Sequence, residues 1–558
     1  MKEKLRKLVD QALPGILAEL KSTDLDPKSI NYDVELPKIK AHGDLSVNLA
    51  FQLNRILKQN PMDIANRCLT AFEKTVQKDK TFRKWVKEIT VEKPGFINFR
   101  LIEESLASQL LEIRHGDQNF GLSKICAGTK ALIEFVSANP TGPLTIAHGR
   151  QAAIGDALAR ILTAVGYDVH KEFYLNDAGR QIRLLGQSLW IRYQQLFGRK
   201  ADLPEEGYQG EYLVDTAGLL KQKKGEALLN GAEEAVLKEI TQFGIESILE
   251  GIKKDLADLH VTFDEYLSES SLYVKNLVEQ ALELLKKKNL LYEAEGALWF
   301  RSTQFGDDKD RVLRKKTGEY TYLAPDIAYH KSKFDRKYKK LINLWGPDHH
   351  GYVPRLKAAC EALGYSSKDV HILIVQLTTL YRDGIPVRMS TRAGEFVTLR
   401  ELIDEVGADA ARIFFLMRKV ESHLDFDLVL AKQKTEENPV YYLQYAHARI
   451  SSILIYAERP VEENADLALI QEPEAIDLIK KMLEYPDILK QASELLEPYR
   501  VVDYLRELAA LFHKFYALHR VVSDEPERTK ARLLLTDCVR IVLRNGLTLL
   551  GVSAPAKM

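Results

Sequence analysis

The sequence predicts a multidomain chain: a parallel-sheet α/β domain with a helical insertion, preceded by a small α+β module and followed by an all-α bundle. Three observations carry this. The 558 residues suffice for three or four domains at roughly 150 residues each. From Ala131 onward, short apolar runs alternate with stretches of helical periodicity, the pattern of parallel strands joined by right-handed crossovers. After Asp427 the periodicity stays helical to the end. At 46% hydrophobic and 28% charged residues, the composition is that of an ordinary soluble globular protein, neither disordered nor collagen-like.

The first module covers residues 1–115. Helical spacing in 4–20 and 49–57 precedes an alternating stretch, 89–99, in which Pro94-Gly95 marks a hairpin turn. An apolar-periodic run over 101–113 ends in Gly116-Asp-Gln-Asn-Phe-Gly121, a polar stretch that reads as a linker. The second domain spans 116–436. Within it 131–137 is a buried strand, 138–144 a Pro/Gly loop, 148–165 a helix and 169–175 a second strand, while 341–345 and 370–375 supply two more. Between the halves of that sheet, about 187–314 reads as a largely helical insertion. The third domain, 437–558, opens with Asn438-Pro439 as the start of a helix and continues through amphipathic stretches at 475–495, 501–522 and 528–550.

Lys+Arg and Asp+Glu both number 79, so no global positive field marks an anionic partner and any nucleic-acid contact is local. The last 48 residues carry eight Lys/Arg against four acids, an excess that a solvated helix face explains equally. The four cysteines lie far apart without a C-x-x-C pair, which indicates neither a zinc site nor a disulfide framework and fits a reducing cytoplasm. No apolar run approaches 18 residues, so neither secretion nor a membrane span is expected.

Two loops suit nucleotide chemistry. Ala138-Asn-Pro-Thr-Gly-Pro-Leu-Thr-Ile-Ala-His148 joins the carboxyl end of a strand to the N-terminus of a helix, where free N–H groups and the helix dipole favour phosphate. A plain structural turn explains such a loop about as well. Ile385-Pro-Val-Arg-Met-Ser-Thr-Arg-Ala-Gly394 places two guanidiniums and two hydroxyls on a loop after an apolar strand. That mixture suits a triphosphate whose charge moves onto leaving pyrophosphate, although an isolated cluster of this kind is more often solvated.

Together these loops resemble the signatures of class I aminoacyl-tRNA synthetases, with Thr145-Ile-Ala-His148 at the HIGH motif and Arg388-Met-Ser-Thr-Arg392 at KMSKS. Four further stretches resemble arginyl-tRNA synthetases in particular: Glu134-Phe-Val-Ser-Ala-Asn-Pro-Thr-Gly142, Tyr322-Leu-Ala-Pro-Asp-Ile-Ala-Tyr-His330, Gly346-Pro-Asp-His-His-Gly-Tyr352 and Asn438-Pro-Val-Tyr-Tyr-Leu-Gln-Tyr-Ala-His-Ala-Arg449. The resemblance extends from His42-Gly-Asp44 to the terminal Leu550-Gly-Val-Ser-Ala-Pro-Ala-Lys-Met558.

The resemblance implies a Rossmann-like catalytic domain, an N-terminal domain that recognises the outer corner of the tRNA, and a C-terminal anticodon-binding domain. It implies that L-arginine and ATP, the latter as its Mg2+ complex, give arginyl-adenylate, which then esterifies the arginine tRNA. No structural metal is expected, and a monomer is expected. The residues that match the family's catalytic positions are His148, Arg388, Ser390 and Arg392; Thr145, His148, Gly346, Asp348, His349 and Met389 match its ATP positions. Glu134, Asn139, Tyr322 and Asp326 match the arginine positions, and Tyr441, Gln444, Tyr445, Arg449 and Met558 those of tRNA. Four positions depart from the family pattern. Thr145 replaces a histidine, Arg388 and Thr391 replace two lysines, and Gly142 stands where some relatives carry a compensating lysine.

The residues leave alternatives beside these assignments. Glu134 sits on an apolar strand, where an unpaired carboxylate is costly, so it is read as cation-binding rather than as an edge residue facing water. Asp348, His349 and His350 are metal-ligand types, but adjacent residues rarely complete a metal shell, which favours ribose and adenine contacts. A synthetase for another amino acid, such as cysteine, is disfavoured because two carboxylates, Glu134 and Asp326, would stand unpaired beside a neutral side chain. A catalytically silent RNA-binding paralogue is the remaining rival, motivated by Gly142, Thr145 and Thr391.

Overall fold

The computed structural model describes residues 1–558 apart from Leu36, Lys38, the Lys40 side chain and the segment 388–396. The expected phosphate-loop residues Arg388, Met389, Ser390 and Arg392 therefore lie outside the described residues.

In the first module, strands β1 (Val34–Glu35), β2 (Leu45–Val47), β3 (Val86–Glu92) and β4 (Phe96–Leu101) form an antiparallel sheet in the order β1-β2-β4-β3. Helices Lys2–Glu19 and Pro61–Lys78 pack on each other, the second started by Asn60, whose side chain accepts from the Met62 N–H. The polar stretch 116–121 is not a free linker. Its turn Asp117–Asn119 is pinned by the last helix, Pro526–Leu549: Arg544 Nη2 donates to Asp117 Oδ1 at 2.7 Å and Asn545 Nδ2 to the Asp117 carbonyl at 2.7 Å.

The second domain is built on a five-stranded, wholly parallel sheet. Its members are β5 (Lys130–Glu134), β6 (Asp168–Leu175), β7 (Glu265–Ser268), and, after an antiparallel meander of β8 (Leu291–Ala294), β9 (Ala297–Phe300) and β10 (Arg311–Arg314), β11 (Lys340–Trp345) and β12 (Val370–Ile374). The order is β12-β11-β5-β6-β7. The stretch expected to be an insertion thus returns to the sheet at β7 and contains the meander as well as helices Arg180–Gln195, Tyr212–Lys224 and Glu233–Asp258. A smaller sheet, β13 (Thr378–Arg382), β14 (Ile385–Pro386) and β15 (Leu424–Asp427), carries the second loop.

The bundle comprises Pro439–Tyr456, Pro473–Leu483, Tyr485–Leu495, Tyr499–Leu518 and Pro526–Leu549. The run expected as one helix over 475–495 breaks at Glu484, because Pro486 lacks the N–H that would continue the ladder. Among the described residues no helix is long and apolar enough to cross a membrane.

One buried guanidinium joins the domains. Arg412 donates to Asp156 Oδ2 on helix Ile146–Ala164 at 2.8 Å, to the Leu259 carbonyl at 2.9 Å and to the Leu550 carbonyl at 2.7 Å. Asp156 also accepts from Arg160 Nε at 2.7 Å, so both buried charges are paired.

Candidate active site

In the main sheet, the connections leave β5 toward β6 and β11 toward β12, in opposite directions. The crevice between the carboxyl ends of β5 and β11 is therefore the topological switch point, where ligands of such sheets bind. Two loops flank it, 135–144 after β5 and 346–352 after β11.

The first loop begins under strain. Val136 and Ser137 have φ of 65° and 41°, a conformation rare for any side chain and especially for a β-branched one. The turn releases the chain from β5 toward the helix and leaves Glu134 as the strand's last residue. Ser137 Oγ donates to Glu134 Oε1 at 3.2 Å and accepts from the Tyr174 N–H at 3.1 Å. Asn139 donates to Gln181 Oε1. Gly142 lies under Tyr212, whose hydroxyl donates to the Thr141 carbonyl. A Cβ at Gly142 would come within 3.3 Å of that hydroxyl, a tight contact that the tyrosine would have to relieve by a small shift.

Thr145 is the N-cap of helix Ile146–Ala164. Its N–H donates to His148 Nδ1 at 3.1 Å, and its hydroxyl lies 3.1 Å from the same nitrogen. With Nδ1 accepting, the imidazole proton resides on Nε2, and burial pushes the His148 pKa down to about 4. His148 is thus a neutral donor at a helix N-terminus, suited to hydrogen-bond phosphate without adding charge. Next to it, Gly149 permits close packing, since a Cβ there would lie 2.6 Å from Leu399 Cδ1. Arg150 is fully buried and donates to the carbonyls of Gln376, Leu377, Lys419 and Ser422. The chain from Thr398 onward returns to the same place: Leu399 N–H donates to the Leu144 carbonyl at 2.8 Å, and Thr398 bridges to Thr145.

After β11, Gly346 leads into the turn Pro347–Tyr352. Asp348 and His349 are exposed at the rim, 3.4 Å apart. Asp348, His349 and His350 do not converge as ligands. Among the described residues only His170, Glu172 and Glu265 bring three ligand atoms together, and Arg336 already bridges those carboxylates at 2.6 and 3.1 Å.

Beside the crevice lies a cluster of acids and phenols. Asp326, on helix Leu323–Asp335, accepts from Tyr352 Oη at 2.6 Å, and burial pushes its pKa up to about 7. Tyr322 precedes that helix and is 71% exposed at its mouth. Two residues that the sequence reading missed complete the lining. Glu269, just after β7, is buried and its pKa is raised by that burial, and the buried Tyr174 hydroxyl beside it acts on its carboxyl as a donor. The available signal was Ser268-Glu269 directly following a strand, hidden because β7 itself went unrecognised. Three acids, Glu134, Asp326 and Glu269, act on one another here, and Lys333 is the cation among them. Such a site favours an entering cation with several donors.

Family models match three stretches of the chain: "Arginyl tRNA synthetase N terminal domain" over residues 3–101, "tRNA synthetases class I (R), catalytic domain" over 115–423, and "DALR anticodon binding domain" over 443–558. An arginine–tRNA ligase of Citrifermentans bemidjiense is 47% identical over 563 residues, 100% of each chain. The chain belongs to the arginyl-tRNA synthetase family. Arginine–tRNA ligase 1 of Halalkalibacterium halodurans is 44% identical, covering 100% of this chain and 99% of its own. The arginyl-tRNA synthetase of Thermus thermophilus has the same fold, with a TM-score of 0.76 at 24% identity over 99% of this chain and 100% of that one.

In this synthetase's anticodon-binding domain, helix Pro439–Tyr456 carries an aromatic ladder. Tyr441 stacks on Tyr445 with centroids 5.5 Å apart, and Arg449 donates to Tyr445 Oη at 2.6 Å while lying over its ring and that of Tyr516. Gln444, expected on the RNA face, is turned inward instead. It is buried and its amide donates to Asp409 Oδ2 at 2.8 Å and to Ser553, so it fastens the C-terminal tail to the catalytic domain. Met558 and Tyr441 line a common cavity of about 550 Å³ between the bundle and the residues around Gly407.

Proposed function

We propose that this synthetase attaches L-arginine to its tRNA in the cytoplasm, acting as a monomer and taking ATP as its magnesium complex. The observation that carries the choice of amino acid is the pocket in which Asp326 and Glu269, both raised in pKa by burial, await a cation. Neutral amino acids would leave these acids desolvated and unpaired, at a cost that excludes them.

Arginine lies in this reading with its side chain toward Asp326 and Glu269, Tyr322 covering the mouth, and Glu134 and Asn139 contacting it nearer the nucleotide. An arginine carboxylate oxygen attacks the α-phosphorus in line and pyrophosphate leaves; a hydroxyl of the terminal tRNA adenosine then attacks the carbonyl and releases AMP. Both steps depend on positioning and on donors around phosphate. Thr145 and His148 supply neutral donors, Asp348 and His349 meet ribose and adenine beside Gly346, and Met389 flanks the base. Arg388 and Arg392 bring positive charge and Ser390 a hydroxyl to the triphosphate, which is taken as its magnesium complex. Residues 1–115 recognise the tRNA corner, and Tyr441, Tyr445, Arg449 and Met558 in 437–558 meet the anticodon end.

Pyrophosphate exchange into ATP tests this directly. Exchange with arginine, absent with lysine and citrulline and dependent on added tRNA, is expected; no exchange under any condition in folded protein that binds both ligands would sink it.

A further inference from the structure

Lys333 has no exposed surface and no role in the reaction as described so far. Its ammonium donates to Glu134 Oε2 at 2.5 Å and to Asn343 Oδ1 at 3.1 Å, and it lies 4.0 Å from the centre of the Tyr329 ring. All three N–H donors thus face a partner. The chain continues on both sides. Asn343, opposite Glu134 in the β11–β5 register, donates through Nδ2 to His330 Nε2 at 2.9 Å, and His330 Nδ1 donates to the Asp326 carbonyl at 2.9 Å. On the other side, Glu134 Oε1 takes the hydroxyl of Ser137 in the strained turn.

Every donor and acceptor in this sequence has one assignment. Asp326, His330, Asn343, Lys333, Glu134 and Ser137 form one unbroken polar path through the buried floor of the crevice. It links the helix that carries the side-chain acid to the loop that leads into the nucleotide helix. A buried ion pair is poor evidence for stability, because apolar residues of the same volume often serve as well. The one at Glu134 has a different consequence. It fixes the carboxylate at a single orientation before substrate arrives, and it removes one of the three acids from competition for the substrate's guanidinium.

We propose that Lys333 is a positioning residue for arginine recognition, acting through Glu134 and held in place by Asn343 and His330. This rests on the arginylation reading above. Wild-type aminoacylation in the same assay separates failure of that reading from failure of this one.

The test is a double-variant cycle on the full-length enzyme with tRNA, reading KM for arginine, KM for ATP and kcat. Lys333→Met is expected to raise KM for arginine by about tenfold or more while KM for ATP stays within about twofold, and Glu134→Gln is expected to do the same. The Glu134→Gln/Lys333→Met double variant, which leaves no buried charge unpaired and so folds even where Lys333→Met does not, is expected to match Glu134→Gln alone. A double variant whose KM for arginine exceeds that of Glu134→Gln by a further tenfold, or variants that lose arginine and ATP affinity in parallel, would overturn the assignment.

Discussion

Thr145 and His148 close a ring at the head of the nucleotide helix, the Thr145 N–H donating to His148 Nδ1 at 3.1 Å. The residue that replaces a family histidine therefore sets the tautomer of the histidine that remains, and leaves Nε2–H as the ring's donor. Removing that donor by His148→Ala is expected to lower the exchange rate by about 10²–10³-fold, as for one donor at a developing charge, with KM for arginine little changed. Equal loss in kcat and arginine affinity would place His148 in the fold's support instead.

Burial pushes the Asp326 carboxyl up to about 7. A guanidinium binds its ionised form, so arginine affinity is expected to rise with pH up to about 7 and level above it, falling about tenfold for each unit below. The sign follows from burial, which stabilises the protonated acid until a permanent cation enters. Calorimetry between pH 5.5 and 8.5 checks this, with proton release on binding below neutrality. Asp326→Asn is expected to abolish the slope together with most of the affinity; an unaltered slope would move the titration to Glu269.

Arg388 and Arg392 are the cations of the second loop. Replacing either by Ala is expected to depress the activation rate more than arginine binding, since the contact strengthens as pyrophosphate leaves. Single-turnover measurement of adenylate formation distinguishes the two effects, and a wild-type rate in both variants would remove the loop from the chemistry.

Arg449 already lies over the Tyr445 and Tyr516 rings, so it offers RNA a preformed stack with a positive edge. Arg449→Ala is expected to weaken tRNA binding and to reduce the slope of log affinity against log salt by about one. A filter-binding series across salt concentrations reads both. An unchanged slope would assign Arg449 to packing within the bundle.

Much of the layout was legible because burial on both faces writes apolar runs into sequence. Leu341-Ile-Asn-Leu-Trp345 is a strand for that reason, and Glu134 stood out against such a run; Val370-His-Ile-Leu-Ile374 is a half-buried edge strand that was legible only because its residues are apolar. The edge strand Glu265-Tyr-Leu-Ser268 gave no such signal, since its residues are only half-buried, and Glu269 was lost with it. The inward turn of Gln444 depends on Asp409 and Ser553, more than 30 and 100 residues away, a separation at which local spacing carries no information. Lys333 was hidden likewise: on a helix a lysine reads as solvated, and only the register of β11 beside β5 reveals its carboxylate.

The guanidinium of Arg412 draws its acceptors from three separate stretches, one of them the carbonyl of Leu550 at the end of the bundle. If RNA tilts the bundle, that acceptor recedes while Asp156 stays, and a guanidinium in a dry interior is left one partner short. A substitution at Leu550 that moves its backbone should therefore register as a loss of stability shared by the bundle and helix Ile146–Ala164, before any change in the shape of the crevice.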